Sequence, residues 1–177
     1  MKRSRIIASF IVLFIFHLNG FSQEDKFDFQ VLGGYLSQIN TPKSESPVQY
    51  GGFVGIGVFK ESKIGRLNFD LDLNYLSEHS PKELIINNYQ GFSLKGQANY
   101  LIKTFPIGES FVYLGPGAAI HQSLNGNGDY NGPSFGANFK FLFPVRISDF
   151  SFFLTYDFDY ITSQGYLRNG IGISFRP

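Results

Sequence analysis

The residues with chemistry to offer fall into three groups. Glu78, His79 and Ser80 stand side by side at the end of one alternating stretch, and His121 closes another. A histidine can take the proton of a serine while an acid orients it, the arrangement of acyl transfer or deacylation. Consecutive residues of a strand point in alternate directions, so His79 and Ser80 do not meet naturally, and the other reading is a solvated polar loop start. A second group shares the polar phase of its stretches: the acids Asp28, Asp70, Asp72, Asp157 and Asp159, and the bases Lys95, Lys140 and Arg168. Paired carboxylates can work as general acid and base. Facing bases, they read better as a structural network, because buried charges need partners. The third group, "NGNGDYNG" (125–132), offers oxygens to calcium but lacks the spaced acids and closing Glu of a dedicated loop, so it reads as a turn cluster. "GGFVGIG" is no phosphate loop, because no helical stretch follows it. No metal-ligand spacing appears, the chain has no cysteine, and no cofactor is expected.

What must position these groups is a set of strands. "RLNFDLDLNYLSE" (66–78) sets Leu67, Phe69, Leu71, Leu73 and Tyr75 against Asn68, Asp70, Asp72 and Asn74. A period of two puts the first set on one face and the second on the other. Eight stretches of strand character are expected, at about 26–37, 50–60, 66–77, 89–103, 110–120, 134–143, 150–161 and 166–175. The abundance of Phe (21), Tyr (10) and Gly (20) agrees with an all-β chain. Connections one, three and five are each about a dozen residues long, whereas two, four and six are short turns. An up-and-down sheet would gather the long ones at one end, as outer-membrane barrels do, with the turns in the periplasm. The short seventh connection, "TSQG", departs from that pattern.

The first 22 residues read as a cleaved secretory signal. Lys2, Arg3 and Arg5 precede the apolar run "IIASFIVLFIF", and Gly20 and Ser22 flank a cut before Gln23. That run is far shorter than the roughly 20 residues a spanning helix needs. Cleavage takes three of the 15 basic residues and none of the 14 acidic ones, leaving a net charge of −2 and no basic patch for nucleic acid.

Which face looks outward decides the class. The apolar faces hold about thirty large side chains, too many for the narrow interior of an eight-stranded barrel. The opposite faces carry small and polar residues, such as Gln30, Gly55, Gly57, Gln97, Asn138 and Thr155, together with the charged set above. A Lys or Arg facing lipid at mid-depth costs about 2–4 kcal/mol, whereas inside it can pair with a carboxylate. The apolar face is therefore expected outward, into lipid. The fifth strand, "SFVYLGPGAAI", is apolar on both faces and is left unoriented.

The "FSQ" that ends the signal, the "FVYLGPGAAI" strand and the closing "NGIGISF" resemble the small outer-membrane β-barrel domain of Gram-negative surface proteins, PorT-like and OmpX-like eight-stranded barrels among them. The similarity spans the mature chain. It implies insertion by the barrel-assembly machinery through a terminal aromatic residue. Phe175 fits that signal, although Arg176 and Pro177 follow it. Trp is absent, so Tyr35, Tyr75, Tyr100 and Tyr160 would form the interfacial girdle.

The resulting expectation is an all-β, eight-stranded antiparallel up-and-down transmembrane β-barrel over residues 23–177, preceded by a signal peptide over 1–22. It is non-enzymatic and resides in the cell outer membrane. Its lumen is filled and polar, making it porin-like in architecture rather than in conduction, since aqueous porins use about 16 strands. Its partners would be outer-membrane lipid, the barrel-assembly machinery, and an envelope protein met through the extracellular loops. The alternatives are an outer-membrane lipid-modifying enzyme using Glu78, His79, Ser80 and His121, a small channel, and a soluble periplasmic lipocalin-like ligand-binding barrel.

Overall fold

Period-two alternation becomes eight strands in the computed structural model, which describes residues 27–40, 48–78, 91–124, 133–162 and 166–176. They are β1 (Asp28–Asn40), β2 (Gln49–Glu61), β3 (Gly65–Glu78), β4 (Gly91–Ile107), β5 (Ser110–Ser123), β6 (Ser134–Ile147), β7 (Phe150–Ile161) and β8 (Tyr166–Phe175). β4 and β6 run four residues past their expected ends. Each strand pairs antiparallel with its sequence neighbour, and β1 pairs with β8, so the sheet closes on itself. Closure leaves no strand with a free edge. The register runs without a break except in the β4–β5 ladder, where it shifts between Lys103 and Pro106.

Three tight turns lie at one end of the barrel. The first is held by Ser62, whose hydroxyl donates to the Gly65 carbonyl at 3.0 Å. The other two are two-residue turns at 108–109 and 148–149. Gly108 and Ser148 occupy their first positions with φ of 60° and 53°, the positive values that match a hairpin turn to strand twist. Gly108 adopts this without steric cost, whereas Ser148 does so despite its Cβ. The expected signal segment, nearly all of the four other connections and the 125–132 cluster lie outside the described residues.

The faces sort by polarity as the alternation requires. Twenty-seven large hydrophobic side chains among the described residues are exposed, including Val54 and Phe135 at 62% and Ile171 at 60%. Asn68, Asp70, Asp72, Lys95, Lys140, Asp157, Asp159 and Arg168 face the interior and are buried. The interior is not wholly polar, however. Leu32, Leu36, Phe53 and Leu76 pack together inside the wall of β1–β3. Leu101, Tyr113 and Leu142 form a second cluster, with Phe111 and Phe153 against it. The lumen, expected to be polar, thus also holds apolar side chains beside the charged set. β5, unoriented in the sequence, turns Tyr113, Ala119 and His121 inward and Pro116 and Ile120 outward.

Candidate functional site

The site with the densest chemistry is the middle of the lumen. Neighbouring strands hold its charges in register: Asp72 lies opposite Lys95, Lys140 opposite Asp157, and Asp159 opposite Arg168. Asp70 is the hub. Its carboxylate accepts from Lys140 Nζ at 2.7 Å, from Gln30 and Asn68 at 2.6 Å each, and from Gln97 at 3.0 Å. Lys140 also reaches Asp157 Oδ2 at 3.3 Å, so one ammonium joins two carboxylates. Lys95 pairs with Asp159 at 2.8 Å. Asn138 donates to Asp159 and lies against Asn99, extending the network across β4, β6 and β7.

Two glycines make room for this. A Cβ on Gly57 would sit 2.1 Å from Asp70 Oδ1, and one on Gly55 would sit 2.1 Å from Asp72 Oδ1. The carboxylates of β3 thus lie flat on the β2 backbone, a packing that any larger residue would obstruct.

The structure joins Asp70, Asp157 and Lys140 in one cluster and Lys95 with Asp159 in another. Arg168 is inside but holds neutral groups: both Nε and Nη2 donate to Gln38 Oε1, at 3.0 and 2.7 Å. Asp72 is buried beside Lys95, yet its Oδ1 has no hydrogen-bond partner among the described residues. Asp28 corrects the expectation. It keeps the inward phase but stands at the turn-side mouth, partly exposed, and pairs with Arg176 rather than with the lumen set. Being the first residue of β1, it lies where the barrel opens to solvent.

His121 stands near the outer end of β5, where the sequence put it, but its ring points into the lumen and is buried, with Nδ1 3.0 Å from Arg168 Nη1. Its place in β5 sets the ring inward, because inward positions alternate from Tyr113 to His121. His79 and Ser80 lie outside the described residues, and Glu78 closes β3 opposite Gln49.

Arg66 is the functional-grade residue the sequence reading left out. It is 1% exposed, with its guanidinium 3.4 Å above the centre of the Phe59 ring. Its Nε donates to Asn68 at 3.2 Å, and Nη2 donates to Gln30. The signal was present, since Arg66 has the same phase as Asn68, Asp70 and Asp72 in its own strand. Among the described residues the buried charged side chains are four acids (Asp70, Asp72, Asp157, Asp159) and four bases (Arg66, Lys95, Lys140, Arg168), equal in formal charge. Among the described residues no group of three His, Asp or Glu is placed to hold a metal ion.

No family model matches the chain, and no curated protein matches it. Among solved structures, the crystal structure of Neisserial surface protein A superposes with a TM-score of 0.56 at 13% identity, covering 84% of this chain and 94% of that one. At that identity the likeness is one of fold: both chains build the same kind of closed barrel.

Proposed function

We propose that the chain is a non-enzymatic outer-membrane β-barrel whose ion-paired, side-chain-filled lumen makes it a rigid anchor rather than a pore. One observation carries this reading: the polarity of the wall is reversed relative to a water-soluble barrel, with large hydrophobics exposed outside and eight charged side chains buried inside. Exposed apolar surface of this extent is foreign to a soluble monomer, whereas lipid solvates it and a closed barrel satisfies every backbone group. The fold shared with a Neisserial surface protein supports an envelope location. In this reading residues 1–22 are the exported chain's signal, and the barrel-assembly machinery inserts residues 23–177. The end of the barrel opposite the tight turns would face outward and meet an envelope partner.

The test is fractionation of expressing cells followed by electrophoresis in SDS with and without boiling. Recovery in the outer membrane with heat-dependent migration is expected. Recovery as a soluble periplasmic protein would overturn the reading in favour of a ligand-binding barrel.

A further inference from the structure

The turn-side end of the lumen is hollow where the middle is filled. A cavity of about 540 Å³ opens there, within the range of small-molecule sites. Arg66, Gln30 and Ser174 contribute polar groups to its lining, while Phe59 and Phe153 supply aromatic wall. Three ion pairs ring it among the described residues. Arg146 pairs with Glu109 at 3.4 Å, Lys103 with Glu61 at 3.6 Å, and Arg176 with Asp28. Arg66 forms no ion pair among the described residues. The carboxylates of Asp70 and Glu61 act on it through space, and Asp70 is also joined to it through Gln30 and Asn68, each of which bonds to both.

With Nε and Nη2 engaged, Nη1 of Arg66 is buried and without a hydrogen-bond partner among the described residues. A buried donor of a charged group left unmade is costly, and an anionic acceptor satisfies it best. The aromatic groups near this guanidinium, Phe59 at 3.4 Å and Phe153 at 5.5 Å, favour a flat or short apolar body beside the anion.

We infer that this vestibule is a binding site for a small organic carboxylate, held through one oxygen on Arg66 Nη1 with its apolar part against Phe59 and Phe153. The site goes beyond the anchoring role proposed above and does not depend on which medium surrounds the barrel, because Arg66, Phe59 and Phe153, which would hold the ligand, have the inward phase of their strands.

The mature chain, refolded in a non-ionic detergent, would be titrated calorimetrically with benzoate and, separately, with benzamide, its neutral counterpart of equal shape. The expected result is one benzoate per chain, with benzamide about tenfold to a hundredfold weaker, the range a charge-assisted hydrogen bond implies. Arg66→Gln should remove the difference between the two probes, and Arg66→Lys should retain a preference for benzoate. Because Arg66 also supports its neighbours, Ser151→Trp provides an independent variant. Ser151 is exposed on the cavity wall and makes none of the guanidinium's hydrogen bonds, so an indole there would take up cavity space. It should abolish benzoate binding in protein that still migrates as a folded barrel. Equal affinity for benzoate and benzamide, no binding of benzoate to the parent protein, or undiminished binding in folded Ser151→Trp would each overturn the assignment.

Discussion

On the outer face of β3, Leu67, Leu71 and Leu73 are 36–39% exposed, while one residue away on the inner face Asn68, Asp72 and Asn74 are 0–2% exposed. The same backbone therefore presents leucine to the surroundings and hides amides and a carboxylate. In water this arrangement forfeits hydrophobic stabilisation and desolvates charge together. In lipid the first cost disappears, and the inner face needs only internal pairing. The comparison teaches that stability here rests on two unlike things: the medium for the outside, and the completeness of the polar network for the inside.

Substitutions that strike the two faces separately can break that comparison. The largest effect is expected inside, at Lys140. Lys140→Met leaves Asp70 and Asp157 buried without their shared cation, at a cost of about 3–5 kcal/mol, read as a fall in the urea midpoint of vesicle-inserted protein. Adding Asp70→Asn should recover part of the loss, since one uncompensated charge is then gone. Outside, Leu71→Arg is expected to cost about 2–4 kcal/mol in a bilayer. A cost near zero there would mean that Leu71 does not face lipid.

Smaller effects sharpen the picture. Gly57→Ala puts a methyl 2.1 Å from Asp70 Oδ1, so the carboxylate must move off the β2 backbone. About 1–3 kcal/mol is expected from such overpacking, in the same unfolding measurement. At the mouth, Arg146 and Glu109 are exposed, and Arg146→Ala should change stability by no more than about 1 kcal/mol.

Much of this was legible in the alternation. Strand number, their order and the phase of Asp70, Asp72, Lys95, Lys140, Asp157 and Asp159 follow from a period of two, because a closed sheet with one greasy face has one arrangement of its sides. Three things did not follow. β5 could not be oriented because Val112, Leu114 and Ala118 are as apolar as Tyr113 and Ala119; only its ladders to β4 and β6 decide. A large inward residue such as Phe53 was invisible because its space is created by glycines on other strands. Gly34 and Gly172, for example, leave the volume that the Phe53 ring enters. Pairing partners were also beyond reach. Phase says that Arg168 and Asp28 point inward, but position along the barrel axis decides that one meets Gln38 and the other meets Arg176.

The central claim is that the apolar face touches lipid, and the absence of cysteine makes it directly testable. Single spin labels at Val54→Cys and Ile171→Cys, both on the outer wall, would be compared in vesicles for collision with oxygen, which concentrates in lipid, and with a water-soluble nickel complex. The account predicts strong oxygen and weak nickel collisions at both positions. Dominant nickel collisions in folded, vesicle-bound protein would contradict it.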